Sequence, residues 1–197
     1  PRTGADHGVL TLHPGGAAAA RHGMFFGTAA FYRATMLARA KYYPMGAAGG
    51  VVVGFSLASA LLRALLRRGG DDGIYRGDPM TLAVDGGDPE DGNYFLVMAT
   101  TLNRLMLGIN PFWSNDPGDI RLTTIDFPPV RLGRALVPTL RGRPRPWMAD
   151  AGYHSRRARR LTVCSACPMI LDGEIFHPDP AEPVVLEAGH WLRFLSC

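Results

Sequence analysis

Pro168-Met169-Ile170-Leu171-Asp172-Gly173-Glu174-Ile175-Phe176 decides how this 197-residue chain is read. An apolar run with strand character enters an acidic turn centred on Gly173, and a second apolar pair leaves it. Two carboxylates are thus held on a short turn between strands. Gly173 can adopt backbone angles closed to other residues and leaves room for a ligand at the main chain. Asp172 and Glu174 stand two apart, so a continuous strand would put them on one face, and a turn at Gly173 would re-aim one of them. The plainer interpretation is a solvated surface hairpin, because Asp-Gly is a common turn dipeptide.

On either side of this turn the texture is that of short strands separated by Gly, Pro, Asn and Asp. Strands are expected at residues 8–13, 22–26, 80–84, 93–101, 120–127, 160–166, 169–176, 184–186 and 191–195. Two helices are expected in the first third. Gly27-Thr28 opens one over residues 29–43, with Thr28 as N-cap and Pro44 as its stop. The second covers Met45 to Leu62, an eighteen-residue apolar run rich in Gly and Ser. A membrane span needs about 20 such residues, so a buried helix is the expected reading and a span the alternative. Residues 130–140 carry a helical pattern weakened by Gly133 and Pro138. Many strands after two early helices predict a mainly β, α+β chain: an antiparallel β-sandwich with two packed helices in the N-terminal third.

Composition narrows the classes of function. Hydrophobic residues make up 47% of the chain and charged residues 19%, as in globular proteins, and the length suits one domain. The net charge of +4 is carried by arginine, Lys41 being the single lysine, which mildly favours phosphate or carboxylate partners. Nucleic acid is not expected, because the basic residues are dispersed without interleaved aromatics. The cluster His154 to Arg160 could meet phosphate or lipid headgroups, or could simply be a solvated strand edge. Cys164 and Cys167 form a CxxC without a second pair, so buried reduced thiols are expected. The six histidines are scattered, and no phosphate-binding glycine fingerprint or GxSxG occurs. Asp116 and Asp119, in the loop Asn110 to Ile120, could hold a hard cation such as magnesium, or form an ordinary Asp-Pro-Gly-Asp turn. The chain begins at Pro1 with no signal sequence, which suits a piece of a longer protein.

The order of these elements resembles the C-terminal domain of the diacylglycerol kinase and sphingosine kinase family, bacterial lipid kinases included. Leu171-Asp172-Gly173-Glu174-Ile175-Phe176 matches that family's Leu-Asp-Gly-Glu signature. Phe25-Phe26-Gly27-Thr28-Ala29, Leu82-Ala83-Val84-Asp85-Gly86 and the stretch from Pro111 to Leu122 fit its other landmarks. The resemblance implies that residues 1–197 form a single lipid-binding, β-sandwich domain whose N-terminal ATP-binding domain, with its Gly-Gly-Asp-Gly-Thr loop, is absent. It implies ATP and Mg2+ as cofactors, a diacylglycerol-like or sphingoid lipid as substrate, and little activity without the partner domain. By position, Glu174 would be the general base on the lipid hydroxyl, and Asp172 would act through metal-bound water. Asp172, Gly173 and Glu174 would border the ATP phosphates. Asp116 and Asp119 would correspond to a structural magnesium site, although Ile120 stands where the family usually has glycine. The apolar interior, with Met106, Phe112 and Trp113 near its mouth, would take acyl chains. The expected setting is cytoplasmic, with peripheral contact at the inner membrane face; homodimerisation is left open. The alternatives are a non-catalytic lipid-binding module and an unrelated β-rich domain in which Asp-Gly-Glu is only a turn.

Overall fold

A computed structural model describes residues 5–15, 19–42, 75–105 and 108–194. The expected second helix at Met45 to Leu62 lies outside the described residues, as do Met106 and Cys197. Eleven strands and three helices make up the rest: β1 (Ala5–His13), β2 (Arg21–Gly23), β3 (Phe25–Ala29), α1 (Ala30–Tyr42), β4 (Asp78–Val84), β5 (Glu90–Thr100), β6 (Ile120–Asp126), α2 (Leu132–Leu140), α3 (Trp147–Asp150), β7 (Tyr153–Ala158), β8 (Arg160–Cys164), β9 (Met169–Leu171), β10 (Glu174–Phe176) and β11 (Val184–Phe194). The mainly β, antiparallel class expected from the sequence is what forms, with α1 near the N-terminus. Among the described residues no helix is long and apolar enough to cross a membrane.

All strands belong to one sheet, in the order β10-β9-β3-β5-β4-β8-β11-β1-β2, with β6 and β7 branching from β5. The two layers of the expected sandwich are therefore parts of a single sheet curled on itself. β5 makes the branch possible through its length of eleven residues. Its first half pairs with β4 and its second half with β3, while β6 runs along the other edge. A bulge at Phe95, between Tyr94 and Leu96, decides what each side chain faces. Tyr94, Val97 and Ala99 enter the cluster inside the curl, and Phe95, Leu96 and Met98 enter the cluster beneath the helices. The extra residue places two large neighbours on one side, which strict alternation forbids. Residues 94–100 are buried throughout because both faces of this strand are covered.

The inner cluster takes residues from nearly every strand, including Leu10, Phe26, Leu82, Leu122, Leu161, Met169 and Leu186. The outer cluster joins Ala30 of α1, Leu132 and Ala135 of α2 and Met148 of α3 to the sheet's back. α1 is tied down by a buried ion pair from Arg33 to Asp78, whose carboxylate also meets Arg76 at 3.3 Å. Arg33 also donates to the Arg76 carbonyl at 2.7 Å.

Four sequence expectations change. Thr28 is not an N-cap: it lies in β3, where its hydroxyl donates to the Pro168 carbonyl at 2.9 Å, and α1 starts at Ala30. The strand expected at residues 22–26 is two strands, because the chain turns a corner at Met24. The separate strands expected at 184–186 and 191–195 are one strand, β11, whose pairing with β1 skips Gly189. Finally, residues 154–158 of the basic cluster belong to β7, a strand not among those expected; it pairs only with β6 and so stands at an edge of the sheet, as the plainer reading of that cluster had it.

Candidate functional site

Asp172 and Gly173 are the two loop residues of a hairpin that joins β9 to β10, closed by the pairing of Leu171 with Glu174. Their φ angles are 48° and 92°. Positive φ at both central residues is what the favoured two-residue hairpin turn requires, and Asp-Gly is among the pairs that accept it most cheaply. The turn re-aims the two acids: Asp172 points back at the sheet and Glu174 points out.

Asp172 is fully engaged with the main chain. Its Oδ2 accepts from the Met24 amide at 2.8 Å and its Oδ1 from the Phe25 amide at 2.9 Å. Its own amide donates to the Phe25 carbonyl at 2.9 Å. These three bonds clasp the hairpin to the corner where β2 becomes β3. Gly23 lets the parts meet, since a Cβ there would lie 2.7 Å from the Leu171 side chain. Asp85, in the Asp85-Gly86 turn, forms a matching clasp at φ 52°. Its Oδ1 accepts from the Arg159 and Arg160 amides at 2.7 and 2.8 Å, where β7 turns into β8. Sequence reading noted Asp85 without giving it a task; the shared Asp-Gly dipeptide was the available signal.

Glu174 stands free of such work, its side chain 79% exposed. β10 and β2 are the two ends of the curled sheet, and here they meet. Arg21 of β2 reaches within 3.7 Å of the Glu174 carboxylate and lies over the Phe176 ring, 5.8 Å from its centroid. Arg39 of α1 donates to the Gly173 carbonyl. The tip of the hairpin thus presents one outward carboxylate with the Arg21 guanidinium beside it and the Arg39 guanidinium on the neighbouring carbonyl. Such a setting can accept a proton and can hold an anionic group, since arginine recognises phosphate oxygens by charge-assisted bonds.

Asp116 and Asp119 lie in the exposed loop before β6, at the same end of the sheet. Strand register puts Leu171 beside Phe26, Phe25 beside Thr100, and Thr100 beside Arg121. Three strand spacings, about 14 Å along the sheet, therefore separate the hairpin from the start of β6. One ion could not bridge the two groups. The Asp116 carboxylate takes the Ser114 hydroxyl at 2.5 Å. No group of three or more His, Cys, Asp or Glu side chains suited to a metal occurs among the described residues. The donor set present here thus falls short of a dedicated magnesium cage. Trp113 packs in the cluster beneath the helices, not at the mouth of the interior, and Phe112 is buried. Cys167 is buried and Cys164 half-buried, both as free thiols, and burial pushes the Cys167 thiol up.

A small cleft of about 100 Å³ opens at the other end of the sheet, between β4, β5, β6 and β7. Arg156 and Glu90 pair there at 2.9 Å, and the hydrogen bond from Arg156 holds the Glu90 carboxyl below its usual range. His154 lies 3.9 Å from Asp126, whose carboxyl burial pushes up. None of the hairpin residues lines this cleft. It is not part of the Asp172 and Glu174 site.

No family model matches the sequence, and no curated protein does. Solved structures do match the fold. One proposed diacylglycerol kinase from Bacillus anthracis superposes with a TM-score of 0.57 at 11% identity, covering 93% of this chain and 53% of its own. A second structure of a proposed diacylglycerol kinase from that organism gives 0.54 at 12% identity, over 93% and 54%. This chain therefore shares the fold of part of those proteins and spans about half their length.

Proposed function

We propose that this chain is the lipid-binding half of an ATP-dependent lipid kinase, which joins an N-terminal nucleotide-binding domain to phosphorylate a hydroxyl of a diacylglycerol-like or sphingoid lipid. The observation that carries the reading is the Asp172-Gly173-Glu174 hairpin at the seam of the sheet, which aims one exposed carboxylate outward beside Arg21, with Arg39 on the neighbouring Gly173 carbonyl, on a fold shared with proposed diacylglycerol kinases. In the reaction the lipid oxygen bonds to the γ-phosphorus as the bond to the leaving oxygen of ADP breaks. Glu174 takes the hydroxyl proton. Most of the catalysis in such transfers comes from positioning and charge neutralisation, so a single well-placed base suffices on this side.

Asp172 is assigned to positioning, because both its oxygens already hold backbone amides; a role through metal-bound water would have to use its remaining lone pairs. Gly173 offers a carbonyl fixed by Arg39. ATP and Mg2+ belong to the reading as a kinase's cofactors. Asp116 and Asp119 could contribute to holding magnesium, which tolerates few protein ligands and keeps its waters. Membrane contact is peripheral in this reading, at the cytoplasmic face.

The test is phosphate transfer from labelled ATP to a panel of dispersed lipids. It compares the complete gene product, its Glu174→Gln variant and the 197-residue chain alone. Activity in the first, a loss of at least 100-fold in the second and none in the third are expected, the factor being the usual scale of general-base catalysis. Unchanged turnover in Glu174→Gln would remove the base assignment, whereas failure of the complete gene product to phosphorylate any lipid of the panel would leave a non-catalytic lipid-binding module as the better reading.

A further inference from the structure

Residues 130–147 carry five arginines, Arg131, Arg134, Arg141, Arg143 and Arg145, and no Asp or Glu. All five are exposed. The chain's net charge is +4, so this segment supplies more positive charge than the whole molecule retains. Half of the arginines in the cationic cluster that sequence alone suggested for headgroups are spent differently: Arg156 pairs with Glu90 at 2.9 Å and Arg160 with Glu187 at 3.1 Å. Among the described residues no carboxylate pairs with any of the five.

Their arrangement is one-sided. α2 buries Leu132, Ala135 and Thr139 against the sheet. Arg134, Val137 and Arg141, at helical spacings of three and four, then line the opposite stripe. Val137 is 52% exposed, and Val130, just before the helix, is 46% exposed. The guanidinium of Arg131 lies 5.7 Å over the ring of Trp147, which packs edge-on against Tyr153. The face therefore mixes guanidinium groups and bare aliphatic side chains, with Arg134 and Arg141 flanking Val137. A polyanion in water needs only the first. A lipid surface uses both, because phosphates meet the cations while the methyls enter the headgroup boundary. Nucleic acid fits less well, since stacking needs a free aromatic face and Trp147 is covered by Arg131.

The face also has a useful place in the fold. The carbonyl of Leu140 accepts from the Asn110 amide at 3.0 Å, which ties the end of α2 to the loop preceding β6. That loop lies at the end of the sheet that bears the Asp172-Gly173-Glu174 hairpin.

We propose that the outer face of α2 and the arginine-rich turn after it dock this protein on an anionic lipid bilayer. The choice of a membrane over another polyanion rests in part on the lipid-kinase reading, but the docking can be measured without catalysis.

The experiment is co-sedimentation of the 197-residue chain with vesicles of pure phosphatidylcholine and with vesicles containing phosphatidylglycerol. Binding to the anionic vesicles alone, lost at high salt, is expected. The triple variant Arg134→Gln/Arg141→Gln/Arg143→Gln should bind them about 100-fold more weakly, at roughly one unit of surface attraction per arginine. Val137→Asp should weaken binding as well, whereas Arg156→Gln, whose arginine is already paired, should not. Circular dichroism of each variant confirms folding, which exposed substitutions leave intact. Equal binding to both vesicle types would overturn the proposal. So would a folded triple variant that binds like the parent, or binding to heparin without binding to vesicles. Kinase activity of the complete protein separates the two readings: if the kinase reading fails, vesicle binding and its arginine dependence still stand or fall by themselves.

Discussion

Asp172 lends itself to a three-member substitution series, because two separable effects act on it. Its carboxylate holds two backbone amides, at 2.8 and 2.9 Å, and its φ of 48° lies in the left-handed region. Each amide bond contributes about 1 kcal/mol at an exposed site. Alanine at a left-handed position costs about 1 kcal/mol more, which Asp, Asn and Gly largely avoid. Asp172→Asn keeps one acceptor and the tolerant backbone, so it should lose about 1 kcal/mol. Asp172→Gly loses both bonds but no backbone comfort, at about 2 kcal/mol plus a smaller chain-entropy cost of a second glycine. Asp172→Ala combines both losses, about 3 kcal/mol. Urea unfolding followed by tryptophan fluorescence reads the series; with a slope of about 2 kcal/mol per molar urea, the alanine variant's midpoint should fall by about 1.5 M. Glu174→Gln, at the outward position, should stay within about 0.5 kcal/mol of the parent. An alanine variant as stable as the parent, or a glycine variant clearly less stable than alanine, would refute the clasp.

Two further outcomes are expected. Arg33→Met strands the Asp78 carboxylate, whose side chain is only 5% exposed, with Arg76 as its remaining cation; a loss of about 3 kcal/mol is expected by urea unfolding, partly recovered in Arg33→Met/Asp78→Asn. Glu90→Gln tests the cleft: the hydrogen bond from Arg156 holds the Glu90 carboxyl in the folded chain below the usual carboxylate range. A lowered carboxyl stabilises the fold above its unfolded pKa and loses that contribution as pH falls through the folded value. The parent should therefore exceed Glu90→Gln by less than about 1 kcal/mol at neutral pH, the pair being exposed, with the gap closing in acid. A gap that persists or grows in acid would contradict the pairing.

Much of the fold is legible in the sequence because its cues are local. Turn dipeptides such as Asp85-Gly86 and Asp172-Gly173 mark chain reversals through their tolerance of positive φ, and runs such as Leu161-Thr162-Val163 alternate as half-buried strands do. The helix after Thr28 was legible for the same reason, but its start was not. Thr28 has the chemistry of an N-cap, and only its pairing in β3 and its bond to the Pro168 carbonyl 140 positions away decide otherwise. Likewise β7 was hidden, because His154, Arg156 and Arg157 read as solvent-facing until β6 supplies a partner edge.

The candidate site divides in the same way. The sequence by itself determined that a carboxylate turn of a particular signature exists, and that the chain's charge is arginine charge. Tertiary structure alone decided the rest. The curl of one sheet brings β2 against β10, so Arg21 meets Glu174 across 153 residues of sequence, and it gives Asp172 two amides to hold instead of water. It also decided which arginines are neutralised and which stay bare. An ion pair depends on distances of a few ångströms, and those are set by how strands far apart in the chain are laid side by side.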